Sequence, residues 1–333
     1  MTLAKRKSVL YIFRGATGGF SIERVFAVVM KRVEKFRSCS AVSLPYAGAK
    51  SLQIVRNLRF IRRQRGDIFH VTGDVHYVLL ALIGRKTVLT VHDCIILHRG
   101  GRIRRFIFWL LWFYLPCKIA TRITCISEQS KAELMTHVHG IADKISVVPD
   151  PLPVGFEYVP KEFNVECPRI LHFNKKSNKN LDNTISALKG IPCELVVIGR
   201  LTEAQRLKLQ ENRIRYVSLE DISDAEIIEE YRKCDLLCFP STYEGFGMPI
   251  IEAQAIGRPV VTSDIAPMNR ISGGAAVLAD PGSPDSIRSA VLKLINEPDI
   301  RSRCIKKGLD NVRSFSAELV SAAYEEIYKE LEA

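Results

Sequence analysis

The chain has 333 residues, of which 47% are hydrophobic and 25% charged, and its formal net charge is +12. Such a composition is typical of a soluble globular protein, and this length predicts two domains, with one doubly wound domain as the alternative. No run reaches the roughly 18 apolar residues of a membrane span, and the first apolar run is too short for a signal-peptide core, so we expect a cytoplasmic protein.

The first half of the chain alternates short apolar runs with helix-like segments. A strand over Val9–Phe13 precedes a glycine-bearing loop and a helix near 22–36. The runs lack polar alternation, which is typical of parallel strands buried on both faces. Further strands of this first domain, 1–155, are predicted at 67–71, 87–91, 122–126 and 145–148.

A segment rich in proline, 150–168, cannot hold a regular element and is interpreted as a linker. The pattern then restarts and predicts a second domain over 165–315, followed by a terminal helix over 317–331. The predicted elements of this domain are strands at 169–173, 194–198, 214–217, 236–239 and 259–262 and a helix at 181–188. The fold class is therefore α/β, with two Rossmann-like doubly wound domains facing a cleft.

The cysteines number nine and are scattered along the chain, which favours free thiols in a reducing cytosol over a disulfide framework. The excess of arginine and lysine favours partners that carry phosphate, namely a diphosphate ligand, anionic lipid or nucleic acid. For any single basic cluster, a solvated surface remains the alternative.

Residues 239–261 form the most informative segment of the sequence. Pro249 suits the first position of a helix and Gly257 its C-terminal cap, so the segment predicts a strand, a loop and a helix over 249–256. The free N–H groups and positive dipole end of that helix make a diphosphate site. Gly245 and Gly247 would let the backbone approach such a ligand closely.

Two carboxylates flank this glycine loop. Glu244 lies just before the helix and Glu252 one turn into it, and both would repel phosphates. They make better sense as acceptors for sugar hydroxyls on either side of a diphosphate. In the alternative, Glu244 stabilises the helix dipole and Glu252 is an ordinary solvated residue.

This segment resembles the signature of the family-4 retaining glycosyltransferases, in which two glutamates with seven residues between them enclose Gly-Phe-Gly-Met-Pro. The similarity continues through 257–261 and 275–281 and is weaker upstream, at 170–181, 125–131, His92-Asp93 and Gly18-Gly19. The resemblance implies the GT-B architecture, with the C-terminal helix crossing back to the first domain.

The resemblance also implies roles for individual residues. Glu252 should bind the nucleotide's ribose, Glu244 the donor sugar's hydroxyls, and catalytic His92 should reach the sugar near its anomeric carbon. Solvated or structural roles remain the alternatives for Lys179 and His92. The other donor-binding residues implied are Gly18, Gly19, Lys175, Lys179, Gly245, Phe246, Gly247 and Met248.

Two positions depart from the family pattern. Asn174 stands where members usually carry an arginine, so Lys175 or Lys176 is expected to compensate, and Arg270 stands where members often have a glutamate. These departures bear on donor recognition more than on reaction class. The chain has no Asp-x-Asp pair, and the sequence shows no histidine cluster at ligand spacing, so we expect neither a required metal nor a cofactor beyond a nucleoside diphosphate sugar as donor.

An aromatic run over 106–115 follows Arg102, Arg104 and Arg105 and contains both tryptophans. It is interpreted either as a buried helix or as a membrane-facing one, with arginines at anionic headgroups. The membrane alternative predicts peripheral attachment to the inner face of the plasma membrane.

Together these features predict transfer of a sugar, with retained configuration, to a hydroxyl of a lipid-linked glycan in bacterial surface polysaccharide synthesis. Three alternatives stay open: a sugar-nucleotide epimerase on the same architecture, a catalytically degenerate binding scaffold and a basic nucleic-acid binder. No recognised nucleic-acid module supports the last of these, and no nucleic-acid partner is expected.

Overall fold

The computed structural model describes residues 6–15, 21–48, 50–98 and 101–332. Gly18 and Gly19 lie outside the described residues. The chain divides into two compact units, one running up to Pro153 and including the chain from Ser316 onward, the other spanning Val154–Phe315.

The first unit contains a six-stranded parallel sheet in the order β2-β1-β3-β4-β5-β6. Its strands are β1 (Val9–Phe13), β2 (Cys39–Ser43), β3 (Ile68–Val71), β4 (Lys86–Val91), β5 (Arg122–Cys125) and β6 (Ile145–Val147). Its helices are α1 (Ser21–Val33), α2 (Ser51–Arg62), α3 (Arg102–Phe108), α4 (Leu115–Ile119) and α5 (Glu128–His137). Strands β1, β3 and β4 are buried almost throughout, as their apolar runs predict.

The second unit contains another six-stranded parallel sheet, in the order β12-β11-β10-β7-β8-β9. Its strands are β7 (Arg169–Phe173), β8 (Glu194–Ile198), β9 (Arg215–Leu219), β10 (Leu236–Phe239), β11 (Val260–Ser263) and β12 (Ala276–Ala279). Its helices are α6 (Leu181–Leu188), α7 (Glu203–Glu211), α8 (Asp224–Lys233), α9 (Met248–Ile256), α10 (Met268–Ile271), α11 (Pro284–Asn296) and α12 (Pro298–Asn311).

Strand order identifies where each sheet can bind a ligand. In the second sheet the chain winds outward in one direction through β7, β8 and β9 and in the other through β10, β11 and β12. Ligands of such sheets bind beyond the carboxyl ends of the strands at the point of reversal, here between β7 and β10. The corresponding reversal in the first sheet lies between β1 and β3.

The last helix, α13 (Ala317–Glu330), belongs to the first unit, and a helix is predicted there from the sequence. Val320, Tyr324 and Tyr328 pack in one apolar cluster with residues of β1 and α1. The Arg37 guanidinium is fully buried and binds both carboxylate oxygens of Glu325, at 2.7 and 2.8 Å. The helix is thus held by apolar burial and by a buried ion pair.

The proline-rich segment contains no helix or strand, as predicted, but it is not a detached linker. Phe156 packs edge-on against Tyr231, and the Val159 amide donates to the Ile256 carbonyl oxygen. The Lys161 ammonium pairs with the carboxylate of Asp235, which is buried. From Val154 onward the segment is therefore part of the second unit.

The aromatic run divides between the core and the surface. A π-helical turn over Trp109–Tyr114 follows α3, and Trp112 and Phe113 are buried. The Trp112 indole N–H donates to the Asp74 carbonyl oxygen at 2.8 Å, so this part of the run matches the interpretation as a buried helix. Within the described ranges, no helix is both long and apolar enough to cross a membrane.

Candidate functional site

The junction between β10 and α9 leaves a helix N-terminus without a side-chain cap. Gly247, in the left-handed region with φ 118°, precedes α9, Pro249 occupies its first turn, and no side chain accepts a hydrogen bond there. Among the described residues, five other helices are capped by a serine or threonine that accepts from an amide three residues on: α5 by Ser127, α7 by Thr202, α8 by Ser223, α11 by Ser283 and α13 by Ser316. Uncapped N–H groups at a positive helix end are suited to an anion.

The loop after β7 lies against this junction because side-chain amides hold the two together. Asn180, itself in the left-handed region, donates through Nδ2 to the Pro240 and Pro281 carbonyl oxygens at 2.9 and 2.7 Å. Asn178 Nδ2 donates to the Tyr243 carbonyl oxygen at 2.7 Å. The loops that follow the two central strands therefore form one structure at the reversal point of the sheet.

Lys179 and Glu244 meet at the centre of this structure. Lys179 Nζ donates to Glu244 Oε1 at 2.6 Å, and the two side chains are only 15% and 14% exposed. The same ammonium lies 4.7 Å from the centre of the Phe239 ring. A partly desolvated cation beside a helix N-terminus gives the site two adjoining sources of positive potential.

Glu252 is held by a buried tyrosine. The Tyr231 hydroxyl donates to Glu252 Oε2 at 2.7 Å, and Tyr231 is fully buried. Burial, and then the negative charge of Glu252, raise the pKa of Tyr231 well above its usual value. Tyr231 therefore stays protonated and orients the carboxylate on the first turns of α9.

The other residues of the second unit that the sequence singles out differ in burial: some are buried and others are exposed. Phe246 is buried edge-on against Phe315, which leaves its backbone rather than its ring for a ligand. Lys175 is exposed, while the Asn174 side-chain amide donates to the Arg200 carbonyl oxygen at 2.8 Å. Arg270 is exposed on α10.

His92, in the first unit, directly follows β4. Its Nε2 lies 2.8 Å from the Thr72 carbonyl oxygen, and because a carbonyl only accepts, this nitrogen carries the proton. Ser130 Oγ donates to the His92 carbonyl oxygen at 2.9 Å. A Cβ on Gly73 would come within 2.5 Å of the imidazole, so glycine is required beside the ring.

The contacts of Asn178, Tyr231 and Asp150 are not predicted from the sequence. Asp150, assigned to the linker, is buried, and burial raises the pKa of its carboxyl while a charge on His92 would lower it. The sequence does not indicate that Tyr231 contacts Glu252, because Tyr231 lies on a different helix and is 21 residues away. A tyrosine followed by a basic pair on an amphipathic helix is typical of ordinary packing.

Spacing along the sequence shows no histidine cluster, but the fold brings two histidines and a glutamate together. His98, Glu133 and His137 offer ligand atoms that all lie within 4.8 Å of one another. It is the one such group of three among the residues that the structure describes. This cluster lies in the first unit and shares no residue with the loops around α9.

Two sequence families match this chain. Residues 2–154 match the family described as Glycosyltransferase Family 4, and residues 170–310 match Glycosyl transferases group 1. Between them the two matches span most of both units. The chain belongs to the group 1 and family 4 glycosyltransferases, and it is therefore a transferase.

Known proteins agree with this assignment. The O-antigen chain mannosyltransferase B of Escherichia coli is 26% identical over 70% of this chain and 67% of its own length. Three other relatives are matched over only 29%, 43% and 45% of their own length.

Solved structures show the fold. HepE of Anabaena, in complex with UDP and glucose, covers 98% of this chain and 100% of its own at 14% identity, with a TM-score of 0.77. WaaG, a glycosyltransferase involved in lipopolysaccharide biosynthesis, covers 96% of this chain and 99% of its own at 12% identity, with a TM-score of 0.73. These likenesses confirm the predicted α/β class with two Rossmann-like domains of the GT-B type.

Proposed function

We propose that this protein transfers a sugar, with retention of configuration, from a nucleoside diphosphate sugar to a hydroxyl acceptor. One observation carries the proposal: the uncapped N-terminus of α9, Lys179, Glu244 and Glu252 converge at the reversal point of the second sheet. Of the relatives, HepE was solved with UDP and glucose, which supports a donor of this chemical class.

Different residues of the site would bind the diphosphate, the sugar and the ribose of such a donor. The diphosphate would bind the amides from Gly245 to Met248 together with Lys179, as lysine suits a phosphate as a point charge. Because Lys179 already pairs with Glu244 at 2.6 Å, it would stand between the phosphates and that carboxylate and offset their repulsion. Glu244 would then accept from sugar hydroxyls, and Glu252, oriented by Tyr231, from the ribose.

We infer a front-face mechanism. The bond between the anomeric carbon and the diphosphate oxygen breaks as the acceptor oxygen attacks from the same face, and the acceptor proton passes to the departing phosphate. Positive potential from α9 and Lys179 would stabilise the charge that develops on the leaving group. His92 is proposed to meet the sugar near its anomeric carbon. In the neutral ring Nδ1 accepts, because Nε2 carries the proton donated to Thr72.

We propose a lipid-linked glycan of a bacterial surface polysaccharide as acceptor, elongated at the cytoplasmic face of the membrane. The O-antigen enzyme of Escherichia coli and WaaG of lipopolysaccharide biosynthesis support this class of product. Helix α3 adds a physical argument, because Ile103, Phe106 and Ile107 lie on one face of it at helical spacing and are exposed.

A transfer assay tests the function. The purified protein is incubated in EDTA with radiolabelled UDP- or GDP-sugars and membrane lipid extract. We expect label in the lipid-linked product, with free nucleoside diphosphate released, and no loss of rate on chelation because α9 and Lys179 neutralise the leaving group. Conversion of donor without acceptor would indicate an epimerase, and activity lost in EDTA but restored by manganese would refute metal independence. No turnover with any donor would favour a binding scaffold.

We expect Glu252→Ala to weaken nucleoside diphosphate binding by about 1.5–3 kcal/mol, the range for a hydrogen bond to a charged group. Calorimetric titration with the nucleoside diphosphate of the active donor measures this. Glu229→Ala, on the exposed face of α8, is the matched control and should bind as the wild type. Unchanged affinity in a folded Glu252→Ala protein would remove this residue from the nucleotide site.

We expect the protein to co-sediment with liposomes that contain phosphatidylglycerol and less with neutral ones. Each basic side chain near an anionic surface contributes about 1 kcal/mol, and Arg102, Arg104 and Arg105 are all exposed beside the apolar face of α3. Raising salt should weaken binding.

The matched variants for this prediction change the net charge equally. Arg102→Glu with Arg105→Glu should abolish sedimentation, whereas Arg303→Glu with Arg313→Glu, on exposed positions of the second unit, should leave it intact. Equal binding to neutral and anionic liposomes, or equal loss in both variants, would contradict attachment through α3.

A further inference from the structure

The histidine and glutamate cluster of the first unit lies outside the site described above and has no role in the proposed reaction. Glu133 and His137 are one helical turn apart on α5, so their side chains share a face of that helix. His98 ends a short 3₁₀ segment, Ile95–His98, and its Nε2 lies 2.7 Å from Glu133 Oε1. The two histidine rings are 6.0 Å apart, centre to centre.

We propose that His98, Glu133 and His137 form a binding site for a divalent transition metal ion, with Zn²⁺ the best match. Two imidazoles and one carboxylate are a donor set that zinc prefers, and three protein ligands leave a fourth position for water or another ligand. Ligand atoms bound tetrahedrally at about 2.0–2.1 Å lie roughly 3.3 Å apart. The three atoms here already lie within 4.8 Å, so small rotations of the side chains bring them to that geometry.

Burial favours this arrangement over a chance surface contact. Glu133 and His137 are half-buried and fixed on a regular helix, so two of the three ligands are already ordered. His98 is exposed and can turn toward the ion without displacing core residues. A bound ion would tie the 3₁₀ segment after β4 to α5.

The aromatic run supplies a reporter for the site. The Trp109 indole N–H donates to the His137 carbonyl oxygen at 2.8 Å. Trp109 and His137 also line a common groove of about 300 Å³, whose other lining residues are Leu97, Arg102, Arg105 and Phe106. Metal binding at His137 should therefore change the fluorescence of Trp109.

Calorimetric titration of the tag-free, full-length, metal-stripped protein with ZnCl₂ tests the proposal. We expect one saturable site per chain in the wild type, a Zn²⁺-dependent rise in Tm, and a change in tryptophan fluorescence with the same midpoint. His98→Ala, His137→Ala and Glu133→Gln should each weaken Zn²⁺ binding by at least about tenfold. His139→Ala, an exposed histidine two residues beyond the cluster, should bind as the wild type.

Four results would overturn the site. They are no saturable binding up to millimolar Zn²⁺, wild-type affinity in both His98→Ala and Glu133→Gln, an equal loss in His139→Ala, and a fluorescence change whose midpoint is unshifted in His98→Ala. Circular dichroism of the metal-free variants checks folding, and Glu133→Gln keeps the size of the side chain if an alanine variant is unstable. Because sugar transfer is assayed in EDTA, failure of the zinc site and failure of the proposed function are separate results.

Discussion

Replacement of Glu244 by glutamine is expected to lower the kcat of sugar transfer by roughly 10²–10³-fold while leaving the affinity for free nucleoside diphosphate nearly unchanged. The carboxylate is proposed to accept from sugar hydroxyls, and such bonds matter most as charge develops on the sugar in the transition state. Glutamine keeps the size of the side chain but removes its charge and its ion pair with Lys179. Steady-state kinetics with the active donor, together with calorimetry on the nucleoside diphosphate, separate the two effects.

Two further variants are compared with Glu244→Gln in this experiment. Glu229→Gln, at a half-exposed position of α8, should retain wild-type kcat. His92→Ala should lower kcat in the same way as Glu244→Gln, since both residues are assigned to the sugar end. Either variant with wild-type turnover would take that residue out of the active site. A parallel loss of nucleoside diphosphate affinity in Glu244→Gln would mean that Glu244 acts by positioning Lys179 for the diphosphate.

Arg37→Ala is expected to lower the free energy of unfolding by about 3 kcal/mol, the lower end of the range for breaking a buried ion pair, because Glu325 keeps its pair with the more exposed Arg6. The guanidinium of Arg37 is 0% exposed and Glu325 is 5% exposed, so water cannot take the place of the lost partner. Arg37 also donates to the Lys7 carbonyl oxygen at 3.0 Å and to Glu332 at 2.9 Å. Denaturant unfolding followed by circular dichroism measures the change.

The matched control is a pair between the same two helical regions. Arg32 and Glu318 join α1 to α13, at 2.5 Å, whereas Arg37 follows α1; both Arg32 and Glu318 are exposed, so Arg32→Ala should cost no more than about 1 kcal/mol. Replacing both buried partners, as in Arg37→Met with Glu325→Leu, should recover part of the stability, because the charges that then lose a partner, Arg6 and Glu332, are partly exposed. Equal, small losses in Arg37→Ala and Arg32→Ala would show that α13 is held by its apolar face alone.

Of the twelve strands in the described part of the chain, ten are predicted from the sequence to within about two residues. The two that are missed, β2 and β12, lie at the outer edges of the two sheets. Strand β2 is interrupted by serines and shows no continuous apolar run. Strand β12 is apolar but has only four residues, two of them alanine, which favours a strand only weakly. The carboxyl ends of β7 and β10 are predicted, yet their adjacency follows only from strand order.

Local chemistry can be predicted from the amino-acid sequence: buried parallel strands, a glycine loop, and the proline-started helix α9 carrying Glu252. These features depend on residues close together in the chain, and the resemblance to family-4 glycosyltransferases rests on the same residues. Which distant side chains meet depends on the fold. Lys179 pairs with Glu244 across 65 residues, Tyr231 orients Glu252, and His98 joins Glu133 and His137. Strand order and helix packing bring these groups together, because a side chain's partner is set by the fold around it and not by its neighbours in sequence.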